Sequence, residues 1–226
     1  MKVSFRTPRW LFPVLLVAIL FGAVAFIPAA PQGSPVSLEQ GTSGNLPAPG
    51  IYTIDAVHTF ILFAAQHQVV GMVRGGFDKP SGSITIAADP VACEVNVSIE
   101  ASSISTQNDY RDEDLRGADF FDAAKFPAIT YHGKGFRRVD DHWTVDGTLT
   151  IRGIAKAVPL EFVFKGTAPK QEGKPDRIAF HGSAAVKRAD FGMTRELLME
   201  LGPSPTGPDV WIDIDTEALS TGASGR

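Results

Sequence analysis

Residues 51–217 alternate between apolar and polar side chains with a period of two, and this pattern constrains the fold more than any other feature. In EVNVSIE, Val95, Val97 and Ile99 alternate with polar neighbours, and VPLEFVFK and VWIDIDTE repeat the pattern. Because successive side chains of a strand point to opposite faces, each segment has one apolar face and one solvated face. Such strands are typical of antiparallel sheets that bury a single face.

Turn-forming residues divide this region into short strands. The predicted strands lie at residues 51–56, 59–67, 72–77, 82–87, 92–101, 128–138, 142–151, 155–166, 177–187 and 209–217. Glycine, proline and acidic residues separate them, as at Asp140-Asp141 and Arg152-Gly153. Since some neighbouring segments merge, we expect about eight strands. Many strands with little helix predict an all-β barrel or sandwich.

One stretch, NDYRDEDLRGADFFDAAKFP, interrupts the strands with the features of a helix. Asn108 or Asp109 can cap the helix, and the acidic residues that follow favour the positive end of the helix dipole. Gly117 provides a stop, and Pro127 ends any further turn. We therefore predict a short helical insertion between two strands.

The N-terminus has the features of an export signal. Three basic residues precede the uncharged apolar segment 10–27, and Ala23-Val24-Ala25 supplies a cleavage pattern of small residues. The segment also reaches the lower length limit of a membrane-spanning helix, so residues 1–27 are either a signal peptide or a membrane anchor. In both cases the positive charges stay in the cytoplasm while the rest of the chain leaves it. We therefore predict an apolar N-terminal helix and an exported, periplasmic or extracytoplasmic protein.

Two segments of small and polar residues flank the predicted barrel. Residues 28–50 are rich in proline, glycine and serine and contain little apolar surface, which predicts a disordered linker. Residues 218–226 predict a flexible tail. The barrel domain is therefore expected at residues 51–217. If residues 1–27 remain as an anchor, the linker keeps this domain close to the membrane surface.

The charge balance excludes one class of partner. The chain carries 21 basic and 25 acidic side chains, and without the three N-terminal basic residues 18 basic ones remain against 25 acidic ones. Nucleic-acid binding needs a basic surface that neutralises phosphates. We therefore expect no nucleic-acid partner.

The sequence lacks the motifs of familiar catalytic and metal sites. The five histidines form no HExxH pair, no G-x-S-x-G motif occurs, and Cys93 is the single cysteine. We predict no catalytic residue, no metal site and no cofactor.

The aromatic residues favour an apolar interior. The chain has 15 phenylalanines and three tyrosines, so most of the rings need no hydrogen-bond partner. These rings either fill an ordinary core or line a pocket, and composition alone leaves both open. An eight-stranded barrel is wide enough to hold one small ligand. A pocket lined by phenylalanine and aliphatic side chains would suit a long hydrocarbon chain.

Five groups of motifs, in order, give the region a specific resemblance. They are YTIDAVHTFILFAAQH, VRGGF with SGSITI, NDYRDEDLRGADFFDAAKFPAITY, GTLTIRGIAKAVPLEF and KRADFGM. On these motifs the chain resembles the YceI-like family of polyisoprenoid-binding proteins. The resemblance implies an extended, eight-stranded antiparallel barrel of the lipocalin-like kind, with a helix-bearing insertion. It also implies an elongated apolar pocket for an isoprenoid lipid, such as a quinone or a polyprenyl phosphate, and no established catalytic activity.

The resemblance also indicates polar residues near the pocket mouth. Asn108, Arg111 and Asp112 match the family motif, and the Arg111 guanidinium could bind a phosphate or a quinone carbonyl. The alternative is that Arg111 and Asp112 only pin the insertion to neighbouring backbone. Arg74 has the same two interpretations, and His67 is either a structural histidine or a ligand contact.

The phenylalanines complete the candidate site. Of Phe120 and Phe121, one ring is expected to enter the barrel and the other to cover its outside. The full set of candidate ligand-binding residues is Phe63, His67, Arg74, Asn108, Arg111, Asp112, Phe120, Phe121, Phe162 and Phe164.

Together these observations predict an exported, non-catalytic protein that binds an isoprenoid lipid and contacts the membrane surface or is anchored in it. One alternative is a filled barrel whose loops bind a protein partner without any ligand. A second is an enzyme that acts on a lipid head group through His58, Asp112 or Glu113. The sequence leaves open which lipid is bound and whether the barrels pair as a homodimer.

Overall fold

The computed structural model describes residues 45–67, 71–194 and 209–221. The predicted signal or anchor at residues 1–27, most of the predicted linker and the end of the predicted tail lie outside these ranges. The described elements are β1 (Gly50–Ile54), β2 (Phe60–His67), β3 (Gly71–Phe77), β4 (Pro80–Ile86), β5 (Glu94–Glu100), β6 (Ile104–Ser105), α1 (Asp109–Arg116), β7 (Ala128–Val139), β8 (His142–Ile151), β9 (Ile154–Thr167), β10 (Arg177–Lys187) and β11 (Asp209–Ser220).

The strands form a closed antiparallel barrel of eight long strands, which confirms the predicted fold. Three of the eight are interrupted, because β1 continues into β2, β3 into β4, and β5 into β6. The other five are β7 to β11. β11 closes the barrel by pairing with β10 on one side and with both β1 and β2 on the other. Closure places the apolar half of each alternating strand inside the barrel.

The predicted helical insertion is also confirmed. Asn108 is the N-cap of α1, and its side-chain Oδ1 accepts a hydrogen bond from the Arg111 backbone N–H at 2.9 Å. Asp109 and Asp112 lie in the first turn, where their negative charge complements the helix dipole. Gly117 caps the C-terminus, as the sequence predicted. The helix joins β6 to β7 at one end of the barrel.

The barrel interior holds two apolar clusters, which we call the upper and the lower cluster. The upper cluster packs against α1 and includes Ile129 of β7 and Leu149 of β8. The lower cluster includes Phe136 and Val145, which lie further along the same two strands. The two clusters therefore follow one another along the barrel, and Tyr131 packs against both.

The barrel extends beyond its predicted limits of residues 51–217 at both ends. Pro47 is buried, and the Tyr52 hydroxyl donates a hydrogen bond to the Ala48 carbonyl at 2.8 Å. β11 continues to Ser220, with Ala218 fully buried in the lower cluster. Residues 218–220 therefore belong to β11 rather than to the predicted tail, and residues 45–49 lie against the barrel. Composition could not show this, because residues 218–220 are held by pairing with β1 and β10, which are distant in the chain.

Within the described ranges, no helix combines the length and the apolar character needed to cross a bilayer.

Candidate functional site

A cavity of about 230 Å³ lies inside the barrel. Its wall includes Phe77 and Leu115 of the upper cluster and Phe136 and Phe180 of the lower cluster. Most of the lining residues are aliphatic or aromatic, because the inward positions of the strands carry the apolar half of the alternation. The cavity therefore spans both clusters, and the side chains of the barrel do not fill its interior.

Tyr131 is a polar residue in the cavity wall, and its hydroxyl is already engaged. The hydroxyl lies 3.0 Å from the Val158 carbonyl oxygen and 3.2 Å from that of Val145, and it donates to these acceptors. Burial raises the pKa of Tyr131 well above its ordinary value, and the negative charge of Asp146 raises it further. Tyr131 therefore stays neutral and turns only its ring toward the cavity.

The other polar side chains of the wall are Thr59, Thr216 and Arg188. The Thr59 and Thr216 hydroxyl oxygens lie 2.8 Å apart and bond to each other. Arg188 follows β10 at the upper end of the barrel. The hydroxyl groups of the wall bond to one another or to the backbone, which leaves a largely apolar surface for a ligand.

Gly147 makes room for the Tyr131 ring. A Cβ at position 147 would lie 2.2 Å from Tyr131 Cζ and 2.3 Å from the hydroxyl oxygen. We therefore expect Gly147→Ala to displace the ring and lower the free energy of unfolding by about 2–3 kcal/mol in urea titrations. Thr148→Ala, at the exposed neighbouring position, should change it by less than about 0.5 kcal/mol. Equal losses in the two variants would contradict the steric explanation.

Four of the predicted phenylalanines line the cavity, namely Phe63, Phe120, Phe121 and Phe162. Both Phe120 and Phe121 reach the cavity, in place of the single ring that the sequence predicted to enter. Phe121 packs edge-on against Phe77, with ring centroids 5.5 Å apart. Phe164 lies outside the cavity wall and packs in the lower cluster against Phe180, at 5.4 Å.

Arg74 and His67 do not line the cavity. Arg74 is exposed on β3 and lies opposite Ala64. It faces outward, because Phe77, three residues further along the strand, faces the cavity. His67 is the last residue of β2 and lies opposite Gly71. The structure therefore brings neither side chain to the candidate site.

Asn108, Arg111 and Asp112 are brought together, but as a brace for the insertion. Asp112 is buried, and its Oδ1 accepts hydrogen bonds from both the backbone N–H and the hydroxyl of Thr106. The Arg111 guanidinium donates to the Thr106 hydroxyl oxygen at 2.7 Å and to the Thr106 carbonyl at 3.0 Å. None of the three lines the cavity. The structural interpretation of the Arg–Asp pair is therefore the one that the geometry supports.

Arg116 supports the same insertion and was not singled out from the sequence. Its guanidinium donates to the carbonyls of Ser102 and Ile104, each at 2.8 Å. This anchors the last turn of α1 to the segment that leads into it. The available signal was its place in NDYRDEDLRG, where it is the second arginine of the family motif, next to Leu115, which lines the cavity.

Arg152 links two loops at the upper end of the barrel. Arg152 and Gly153 form the two-residue turn between β8 and β9, with φ angles of 52° and 73°, as in a type I′ hairpin. The Arg152 guanidinium donates to the Ala118 and Gly192 carbonyls, both at 3.1 Å. The turn therefore holds the loop after α1 against the turn after β10.

An ionic cluster on the barrel joins Asp55, His58, Arg177 and Glu217. Arg177 donates to the carboxylates of both Asp55 and Glu217, and His58 Nδ1 lies 2.8 Å from Asp55 Oδ2. The oxygen and nitrogen atoms of Asp55, His58 and Glu217 are close enough to hold a metal ion, but the Arg177 guanidinium already pairs with both carboxylates. We interpret the cluster as a clasp between the start of the barrel and β10 and β11.

The clasp makes stability depend on pH. Hydrogen bonds from His58 and Arg177 lower the pKa of Asp55 to about 2. Because the folded-state pKa lies below the unfolded one, this stabilisation is present above the unfolded pKa and is lost as the pH falls toward about 2. In chemical unfolding, wild type should exceed Asp55→Asn in stability near neutral pH, and the difference should shrink in acid. A difference that stays constant with pH would contradict this role.

A second group of ligating side chains, His181, Asp213 and Asp215, lies on the outer face of β10 and β11. His181 Nδ1 lies 2.9 Å from Asp215 Oδ1; the two aspartates are exposed, and His181 is half-buried. An exposed histidine–carboxylate pair is weak and common on protein surfaces. The prediction that the chain has no metal site stays a prediction.

The residues of the enzymatic alternative are not brought together. His58 belongs to the ionic clasp, Asp112 is the buried residue of α1 that bonds to Thr106, and Glu113 is exposed on the same helix, 3.8 Å from Arg116. None of them lines the cavity. The geometry therefore does not assemble an acid–base pair beside the place where a hydrocarbon chain would lie.

Comparison with known proteins identifies the fold and the family. The sequence model of the YceI-like domain matches residues 52–218, which is nearly the whole barrel. The chain belongs to the YceI-like family. Its YceI-like barrel is 31% identical over 167 residues to protein YceI of Salmonella newport, covering 73% of this chain and 85% of that protein.

Two solved structures resemble this YceI-like barrel. The YceI protein of Campylobacter jejuni is 30% identical, with a TM-score of 0.58 over 70% of this chain and 90% of that one. A polyisoprenoid-binding domain from Saccharophagus degradans, implicated in plant cell wall breakdown, is 19% identical, with a TM-score of 0.59 over 76% and 99%. The second likeness establishes the fold alone.

Proposed function

We propose that this YceI-like protein is an exported, non-catalytic carrier that holds an isoprenoid-type chain in its barrel. The observation that carries the proposal is the cavity, which spans both apolar clusters and is walled almost entirely by hydrocarbon. Each methylene removed from water contributes about 0.8 kcal/mol, so a long chain can bind there with few polar contacts. The polyisoprenoid-binding domain from Saccharophagus degradans supports this class of ligand.

The non-catalytic part of the proposal rests on the wall of the cavity. The Tyr131 hydroxyl is bonded to backbone carbonyls and stays neutral, and Thr59 and Thr216 bond to each other. General acid–base catalysis needs a group that can exchange a proton within reach of the substrate. A hydrocarbon chain in this cavity contacts aromatic rings and aliphatic side chains, so the protein binds it without converting it.

The export part rests on residues 1–27, and it has its own test. Fractionation of the host cell followed by mass measurement of the purified protein determines where the chain resides and where it starts. We expect an extracytoplasmic protein, either beginning after Ala25 or retained in the membrane fraction with its N-terminus intact. An uncleaved chain in the soluble cytoplasmic fraction would contradict the proposal of export.

The ligand class is tested with a chain-length series. Geraniol, farnesol and geranylgeraniol differ only in the number of isoprene units, and their affinities for the purified protein can be measured by calorimetry. We expect each added unit to strengthen binding, because additional methylene and methyl groups enter the apolar cavity. Affinity that does not depend on chain length, or straight-chain alcohols that bind more tightly than isoprenoid alcohols of equal carbon number, would contradict an isoprenoid pocket.

A further inference from the structure

An exposed apolar face lies on the outside of the barrel, where β2, β3 and β11 are neighbours. Its large side chains are Phe60, Leu62, Met72 and Trp211, which are 57%, 46%, 40% and 48% exposed. Residues that alternate with them along the strands, such as Ile61 and Ile212, line the cavity, so these four side chains belong to the outward side. Each of them leaves much of its apolar surface uncovered.

The register of the strands makes this face continuous. Leu62 pairs with Gly76 of β3 and with Asp213 of β11. The Leu62 side chain extends over Gly76, since a Cβ at position 76 would lie 3.1 Å from Leu62 Cδ2. Trp211 pairs with Ala64, two residues after Leu62, so Leu62 and Trp211 are diagonal neighbours. Contiguous exposed apolar side chains of this kind mark a surface that another molecule covers.

Charges of opposite sign flank the apolar centre of the face. Arg74 is exposed on β3, opposite Ala64, and its guanidinium has no hydrogen bond or ion pair to any residue of the described ranges. Asp213 and Asp215 are exposed on β11, and within the part of the chain that the structure describes their ion-pair partner is His181. Because β2 lies between β3 and β11, the order across the strands is basic, apolar and acidic.

This order is complementary to itself. Arg74 pairs with Ala64 on one side of β2, and Asp213 pairs with Leu62 on the other. With equal spacing between strands, Arg74 and Asp213 lie at equal distances on opposite sides of the midpoint between Leu62 and Ala64. A two-fold axis through this midpoint, in the plane of contact, exchanges the two positions, so Arg74 of each copy meets Asp213 of the other. The Leu62 and Trp211 side chains of both copies then pack around the axis.

The same charges argue against a lipid surface as the occupant of the face. A bilayer would remove the Asp213 and Asp215 carboxylates from water without supplying a cation for them, which is unfavourable. The chain also carries 25 acidic side chains against 21 basic ones, so an anionic membrane would repel it. A second copy of the chain supplies the missing cation from the identical face.

We infer that this outer face is an interface between two copies of the chain, in which Arg74 of each copy pairs with Asp213 of the other. With β10 beside β11, the face covers four strands and about four outward positions on each, or about 500 Å² per copy at the usual spacings of a sheet. An interface of this size is typical of weak complexes, so we expect a dimer with a Kd of about 10 μM. The inference is independent of the proposed function, because Arg74, Asp213 and Trp211 do not line the cavity.

The test measures the monomer–dimer equilibrium of the purified protein by sedimentation equilibrium over a range of concentrations. Arg74→Glu and Asp213→Arg each place like charges opposite each other at both symmetric contacts, so each should weaken dimerisation at least about tenfold. Arg137→Glu is the matched control. It makes the same change of charge at an exposed position of β7, four strands away from β11 around the barrel, and should dimerise as wild type does.

Mixing the two charge variants tests the pairing itself. In a heterodimer of Arg74→Glu with Asp213→Arg, one contact joins the two introduced side chains and the other joins the retained Arg74 and Asp213. Both contacts then unite opposite charges. The equimolar mixture should therefore dimerise with an affinity within about threefold of wild type, although neither variant does so alone.

The apolar centre is tested separately with Trp211→Ala. Removal of this ring should weaken dimerisation at least about tenfold, because large aromatic side chains near the middle of an interface contribute most to affinity. Tyr110→Ala is the matched control, since Tyr110 is a 75% exposed aromatic residue of α1, away from the face. It should leave the equilibrium unchanged.

Three results would overturn the inference. The first is a wild-type protein that stays monomeric at concentrations about a hundredfold above the expected Kd. The second is a mixture of the two charge variants that dimerises no better than either alone. The third is a monomer that binds phosphatidylglycerol vesicles and loses this binding in Trp211→Ala, since the face would then meet a lipid surface. In each case the farnesol affinity of Arg74→Glu should equal that of wild type, so failure of the interface leaves the proposed function standing.

Discussion

Ala184→Phe is expected to reduce binding of an isoprenoid chain by about a thousandfold. Ala184 lies on β10, lines the cavity and packs against the upper cluster. A phenyl ring at this position occupies the space of about one five-carbon isoprene unit. At about 0.8 kcal/mol for each carbon excluded from the cavity, the loss is about 4 kcal/mol. The measurement is the affinity for geranylgeraniol by calorimetry.

Ala185→Phe is the matched control for this prediction. Ala185 is the next residue of β10, is exposed, and faces outward opposite Trp211. The same increase in side-chain volume there should leave affinity within about twofold of wild type, because the added ring does not enter the cavity. Unfolding midpoints should show that both variants are folded. Similar affinities in the two variants would mean that the chain binds elsewhere.

Asp112→Ala is expected to lower the free energy of unfolding by about 3–4 kcal/mol. The carboxylate is 4% exposed and accepts from both the backbone N–H and the hydroxyl of Thr106. Its removal leaves these donors buried without an acceptor and takes away the charge that balances the nearby Arg111. The measurement is urea unfolding followed by circular dichroism.

Two further variants show whether Asp112 holds the insertion in place or contacts a ligand. Asp114→Ala removes an exposed carboxylate from the same helix and should change stability by less than about 0.5 kcal/mol. Asp112→Asn keeps the side-chain acceptor and should lose less than the alanine variant. Where Asp112→Ala is folded, its affinity for farnesol should match that of wild type. A specific loss of affinity without loss of stability would restore Asp112 to the ligand site.

The local parts of the fold were accessible from sequence because their signals are local. Strand alternation has a period of two, so the inward faces of β5, β9 and β11 can be read directly. The helix could be read from its caps, Asn108 and Gly117, since each cap acts within one turn. Even the outward position of Arg74 was available, because Phe77 is three residues away and therefore faces the opposite side.

The site was harder to predict because the alternation of a strand shows which side chains face inward but not how far along the barrel each of them lies. Phe162 and Phe164 share one face of β9, yet only Phe162 lines the cavity. Whether Asp112 contacts a ligand or holds the insertion could not be decided from the sequence, because the answer depends on its hydrogen bonds to Thr106. Trp143 was not singled out from the sequence, since only the packed structure shows that its buried N–H has no partner among the described residues.

Family resemblance and geometry contributed different things. The motif that contains Asn108, Arg111 and Asp112 correctly indicated the family, but its polar residues hold the insertion in place. The residues that contact the cavity beside that motif are Leu115, Phe120 and Phe121. A motif can therefore mark a fold by the residues that assemble it rather than by those that bind the ligand.

The central claim is that the barrel carries an isoprenoid chain, and native mass spectrometry of the gently purified protein tests it most directly. The account predicts an adduct on wild type and on Ala185→Phe whose fragments are those of a polyisoprenoid, and no such adduct on Ala184→Phe. A wild-type protein without any bound lipid, or an adduct retained equally by Ala184→Phe, would contradict the account.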